Sequence, residues 1–144
     1  MRYRIDLLAT SVIVAAFGMG LCVAEDSLDR RLRAIARDGV NCGEWTEGGQ
    51  NRPAVNSCIS KQLGSNRPFF ARFGVSCEDS KCAVGLALEP APGSLYVVHF
   101  DSQGCLGTKS SDPFCGTVLE SCRRPKLSQV GSGLKLTCEN EYQF

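Results

Sequence analysis

Apolar and polar residues alternate on both sides of the segment CEDSKC near the middle of the chain. The nine residues FFARFGVSC before the loop, and CAVGLALE after it, each place most of their apolar side chains on one face of an extended strand. A four-residue hairpin loop would join them with the pairs Cys77–Cys82, Val75–Val84, Phe73–Leu86 and Ala71–Leu88. The alternation of apolar residues and a Cys77–Cys82 disulfide therefore predict the same register for this hairpin.

The alternation continues into a third strand at Leu95–Asp101, after the turn PAPGS. Its predicted partners on the same apolar face are Leu88–Tyr96, Leu86–Val98 and Val84–Phe100. Two further strands are predicted at 117–123 and, after Pro125, around a glycine-rich turn to 134–139. The result is a mostly antiparallel β-meander.

Helical periodicity is confined to the region before the strands. Residues 26–38 place Leu28, Leu32 and Ile35 at helical spacing behind a cap at Asp26 or Ser27. A second helix is predicted over 53–63, and the polar segment 40–52 between them is predicted to be a loop. The predicted fold class is α+β, with one or two N-terminal helices packed on the meander sheet.

The first 24 residues have the features of a signal peptide. Two arginines precede an apolar stretch that ends at small residues, and Glu25 and Asp26 follow at once. We expect residues 1–24 to be removed and 25–144 to form one domain, with no stable membrane insertion afterwards. The alternatives are an uncleaved anchor, or a lipid anchor on Cys22, although the bulky Leu21 stands where a small residue is expected.

Eight cysteines remain after this cleavage, an even number that in an exported chain predicts four disulfides. They are Cys42, Cys58, Cys77, Cys82, Cys105, Cys115, Cys122 and Cys138. Eight cysteines allow 105 pairings, so only the hairpin pair follows from a pattern. Pairing of neighbours along the chain is the expectation for the rest. Half of a zinc site at Cys77 and Cys82 is the alternative reading.

Charge and motif content exclude several functions. Cleavage removes two of the 16 basic and one of the 15 acidic residues, which leaves a net charge of zero and no electrostatic basis for nucleic-acid binding. The chain lacks the nucleophile-elbow, P-loop, zinc-protease and dinucleotide-binding motifs, and no cofactor is expected. Its single histidine, His99, is the only residue on which a Ser–His or Cys–His site could rest.

In the predicted register, small residues gather on the second face of the sheet. We identify this face as a candidate binding surface, with the residues Arg72, Gly74, Gly85, Ala87, Val97 and His99. The alternative is that helix 26–38 packs there, because missing side chains let another backbone approach closely.

The segments RPFFARF, GLAL, LYVVHFDS and CRRP, followed by a last cysteine, resemble a set of small exported bacterial proteins of uncharacterised function. The resemblance spans about residues 54–138 and implies a helix followed by a similar strand series in a periplasmic or secreted protein. It supplies no catalytic residue. The cysteine pairs 77/82 and 105/115 depart from the simpler pattern of that set.

These observations predict an exported, disulfide-stabilised, non-enzymatic binding protein. Its expected partner is a protein of the cell envelope or outside the cell, and an inhibitor or immunity-type protein acting on a secreted enzyme is the sharpest form of the hypothesis. The alternatives are an envelope structural or stress protein, and a small hydrolase that uses His99.

Overall fold

A computed structural model describes residues 26–46, 49–91, 93–107, 111–131 and 133–139, together with the backbone of 141–143. The predicted signal peptide and Cys22 lie outside these residues. The elements in chain order are α1 (Ser27–Ala36), β1 (Val40–Trp45), α2 (Arg52–Gly64), β2 (Phe69–Val75), β3 (Cys82–Leu88), β4 (Leu95–Asp101), β5 (Thr117–Cys122), β6 (Lys126–Val130), β7 (Gly133–Thr137) and β8 (Glu141–Gln143).

The strands form a five-stranded sheet in the order β1-β2-β3-β4-β5 and a smaller sheet in the order β6-β7-β8. Strands β2 to β5 are an antiparallel meander, and both predicted helices are present. The predicted α+β class is therefore confirmed. The strand predicted after Pro125 is the hairpin β6–β7, which belongs to the second sheet.

The prediction of a loop over 40–52 is wrong for its first half, because β1 pairs with β2 in parallel. Its register shifts between Asn41 and Glu44, and Gly43 there has a φ of 94°. This bulge interrupts the alternation of side chains, so the strand carries no period-two pattern in its sequence. Helix α2 makes the crossover between the two parallel strands.

The predicted hairpin register is shifted by two residues, since Val75 and not Cys77 lies opposite Cys82. Phe73 pairs with Val84 and Ala71 with Leu86. A shift of two leaves every side chain on its predicted face, so hydrophobic alternation cannot distinguish the two registers. The Cys77–Cys82 disulfide is present, with its Cα atoms 5.9 Å apart, and it reaches from the loop to the first residue of β3.

The predicted pairing of β4 is wrong by one residue, and this error changes its faces. Leu88 pairs with Leu95, Leu86 with Val97 and Val84 with His99. Val97 and Val98, on opposite faces, are both 0% exposed. A strand that is buried on both faces has no polar side to set its register, which is why alternation failed here.

Two hydrophobic clusters cover the two faces of the large sheet. Helix α1 packs on one face, through a cluster formed by Leu28, Leu32, Ala36, Phe70, Ala83, Ala87 and Val98. Helix α2 and the second sheet cover the other face, where Val55, Ile59 and Leu136 contact Phe69, Leu86, Leu88, Leu95 and Val97. The large sheet is thus the middle of three layers.

Four disulfides join neighbouring cysteines along the chain, as expected: Cys42–Cys58, Cys77–Cys82, Cys105–Cys115 and Cys122–Cys138. Each fastens a different part of the fold. The first joins β1 to α2, and the last joins the end of β5 to the residue after β7. Such dense disulfide bonding is typical of proteins that fold in oxidising compartments.

Helix α1 is fixed to the sheet by a charge cluster at its N-terminus. Arg72 Nη1 donates a hydrogen bond to Asp26 and lies 3.3 Å from Asp29 Oδ1. Arg72 Nε is 3.2 Å from Glu44 Oε1, but the two are not aligned for a hydrogen bond, so this contact is ionic. Burial by itself lowers the pKa of Arg72, but the hydrogen bond to Asp26 and the three carboxylates raise it more.

The raised pKa has a defined consequence for stability. A cation whose pKa is higher in the folded state stabilises the fold fully below its unfolded pKa. That contribution is lost only as the pH rises through the folded value, which for Arg72 lies above its already very basic ordinary value. Arg72 therefore keeps its positive charge at neutral pH.

Asp26 has two roles in this cluster, since its Oδ1 also accepts the backbone N–H of Asp29 at 3.0 Å as the N-cap of α1. We expect Asp26→Ala to lower the free energy of unfolding by about 1 kcal/mol or somewhat more, measured by urea denaturation. Asp26→Ser is the control, because it keeps a capping oxygen and loses only the charge. Equal stability of the two variants would show that the cap contributes nothing measurable.

Candidate functional site

The predicted binding face is divided by the observed register. Arg72, Gly74, Gly85 and Ala87 lie on the face covered by α1, whereas Val97 and His99 lie on the other face. The predicted surface is therefore not one surface.

The trough of small residues is filled by α1. A Cβ atom placed on Gly85 would lie 2.6 Å from Leu32 Cδ2, and Leu32 is 0% exposed. The glycine is required because the helix packs against the sheet at that point. The alternative interpretation, in which helix 26–38 covers this face, is the one that the structure shows.

His99 lies on the outer part of the opposite face. Its Nε2 is 3.9 Å from Glu120 Oε2 on β5, and both side chains are about two-fifths exposed, at 41% and 42%. The residues directly opposite His99 are Val84 on β3 and Val118 on β5, neither of which can act as a nucleophile. The eight described cysteines are all disulfide-bonded, so none of them offers a thiolate.

The described residues contain neither a metal-binding cluster nor a membrane-spanning helix. No cluster of three or more histidine, cysteine, aspartate or glutamate side chains is placed to hold a metal ion. Within the same part of the chain, no helix has the length and apolar character needed to cross a membrane.

The outer edge of β5 is the feature best suited to binding another chain. Strand β5 pairs only with β4 among the described strands, so its other edge is open. Gly116 O accepts the N–H of Asp101 on β4 at 2.9 Å, whereas Thr117 N–H bonds to Phe114 O at 3.2 Å. Because backbone groups alternate in direction along a strand, the N–H and C=O of Leu119 and Ser121 point away from β4.

Two exposed side chains of β5 are apolar. Val118 is 60% exposed on the α2 face, and Leu119 is 37% exposed on the α1 face. Sheet edges in natural proteins are commonly protected by lysine, proline or a bulge, and the first three residues of β5 have none of these. The edge is short, however, which limits indiscriminate pairing.

A cleft of about 390 Å³ opens next to Leu119, between the end of α1 and the sheet. Its lining includes Ala34 and Ile35 from the helix, Tyr96 and Leu119 from the strands, and the charged residues Arg37 and Glu89. It exists because α1 packs over the middle of the sheet and leaves the outermost strand partly uncovered. The cleft and the open edge form one site, which we call the β5 site.

The β5 site was not among the sequence-based predictions. A strand is predicted at 117–123, and the apolar residues Val118 and Leu119 are present in the sequence. The sequence pattern does not indicate that β5 is the last strand of the sheet, which is so because the hairpin after Pro125 belongs to a separate sheet.

Comparison with protein-family models, with curated proteins and with solved structures finds no match to this chain. The similarity to small exported bacterial proteins therefore stays a prediction, and the function must be argued from the β5 site itself.

Proposed function

We propose that this chain is an exported, non-enzymatic binding protein that captures an extended segment of a partner protein at the β5 site. The observation that carries this proposal is the open edge of β5 with Leu119 beside a cleft. An extended segment can add to such an edge as a sixth strand, with backbone hydrogen bonds supplying affinity and side-chain pockets supplying specificity.

The rest of the fold supports this role by holding the edge rigid. Cys122, the last residue of β5, is bonded to Cys138, and the segment before β5 is closed by Cys105–Cys115. Ser27 of α1 packs on the Cys105–Cys115 disulfide, with its Oγ 3.2 Å from Cys115 Sγ. Preorganisation of this kind increases affinity because less conformational entropy is lost on binding.

An inhibitor or immunity-type protein is the form of binding that we favour. A partner segment held as a sixth strand is no longer available to the partner's own active site or assembly. A neutral mature chain fits recognition through backbone and pocket, with no long-range attraction to a charged surface. The partner is expected in the cell envelope or outside the cell.

The test is position-specific photocrosslinking in cells that export the protein. A photoreactive phenylalanine analogue replaces Val118, and the matched control carries it at Val130, which is 62% exposed on β6. We expect a protein partner to be trapped from position 118 only, trapping to be lost when Leu119→Arg is added, and the purified partner's activity to fall on binding. The same products from both positions, or none from either, would contradict the proposal.

A further inference from the structure

On the basis of that proposed function, we infer the chemistry of the segment that the β5 site takes. We propose that it runs antiparallel to β5 and carries, in order, a basic residue opposite Glu120, a large apolar residue opposite Leu119 and a β-branched apolar residue opposite Val118. Each position follows from one feature of the site.

The central position follows from the direction of the backbone at Leu119. Its N–H and C=O point outward, so an antiparallel neighbour would exchange both hydrogen bonds with it. Directly opposed residues place their side chains on the same face, which for Leu119 is the face with the cleft. The opposing side chain would therefore lie beside Leu119 at the cleft, whose volume of about 390 Å³ is enough for leucine or phenylalanine.

The two flanking positions follow from the other face. Glu120 is a partly exposed carboxylate on the same face as Val118, and its carboxylate lies 3.9 Å from the imidazole Nε2 of His99. A lysine or arginine opposite Glu120 gains a cross-strand charge pair, whereas an acidic residue is repelled. Val118, 60% exposed, gains most from a branched apolar neighbour.

The same charge argument disfavours a second copy of this chain. Two β5 strands paired antiparallel about Leu119 would place Val118 of one copy opposite Glu120 of the other. The cationic partner of Glu120 would be missing. The site thus fits a partner with a basic residue better than it fits itself.

The experiment measures fluorescence anisotropy of labelled peptides with the oxidised mature protein at low salt. The probe is Ser-Thr-Lys-Phe-Val-Thr-Ser with blocked ends. Replacing its lysine by glutamate should weaken binding about five-fold or more, and N-methylation of the phenylalanine amide about ten-fold. The reversed sequence should bind no better than the glutamate peptide.

Substitutions in the protein test whether Glu120 and Leu119 make the contacts assigned to them. Glu120→Lys should reverse the preference, so that the glutamate peptide binds better than the lysine peptide. Leu119→Arg should abolish binding of both, whereas Val130→Arg on the second sheet should leave it unchanged.

The outcomes separate this inference from the proposed function. Peptide binding could be lost in Leu119→Arg and yet be unaffected by replacing the peptide's lysine with glutamate or by Glu120→Lys. In that case the inferred chemistry is wrong, and capture of a segment at the edge of β5 stands. A concentration-dependent dimer that Leu119→Arg dissolves would identify a second copy as the occupant and overturn the inference. Failure of both peptide binding and the crosslink at position 118 would overturn both.

Discussion

Gly85→Trp is expected to detach α1 from the sheet and to lower the free energy of unfolding by about 3 kcal/mol. A side chain at position 85 would collide with Leu32, which is fully buried in the cluster under α1. The helix must then shift, and Leu28 and Ala36 on the same helix lose their buried contacts. Urea denaturation followed by far-ultraviolet circular dichroism measures the effect.

Gly64→Trp is the matched control, because a Cβ at position 64 meets no atom within 4 Å. We expect its unfolding midpoint to stay close to that of the parent protein. Equal midpoints for the two variants would mean that α1 does not pack against Gly85 in solution. Because the substitution at position 85 alters the core, it cannot serve as a probe of binding.

Removal of the Cys122–Cys138 disulfide by a double alanine substitution is expected to cost about 3 kcal/mol. In the chain-entropy account, the cost rises with the length of the closed loop, here a separation of 16 residues. Both cysteines are nearly buried, at 5% and 9% exposed, in the cluster that contains Leu136 of the second sheet. This bond ties the end of β5 to the residue after β7 in the second sheet, so its loss should also loosen β5.

The comparison variant removes Cys77 and Cys82, which are separated by only five residues. The same account gives about 2 kcal/mol for this pair, so its urea midpoint should fall less. Midpoints are measured without reductant, after mass spectrometry has shown that the other three disulfides are intact. A larger loss from the 77/82 pair would show that loop length does not decide the ranking.

Sequence patterns predicted this fold wherever one face of an element is buried and the other is exposed. Leu28 and Leu32 mark the buried face of α1 in this way, and the prediction of that helix is confirmed. Prediction of strands and their register failed where apolar and polar residues do not alternate. Strand β4 is apolar on both sides, and the bulge at Gly43 removes the period from β1.

The candidate site could not be predicted from any single segment of the sequence, because it results from helix packing and sheet topology. The binding face predicted from Gly85 and Ala87 is occupied by α1, because small residues are what allows that helix to approach. The open edge at Leu119 exists because the chain leaves the large sheet after Cys122. Which strand is last in a sheet is a property of the topology, and short-range alternation does not encode it.

The order of the disulfides bears on how the chain acquires its structure. Each of the four disulfides among the described residues joins two cysteines that are consecutive along the sequence, so none of these bonds spans another. A chain that crosses a membrane from its N-terminus and is oxidised as it emerges would meet each correct partner before the next cysteine appears. Native pairing could then be completed in a single pass, without later exchange between wrongly joined thiols.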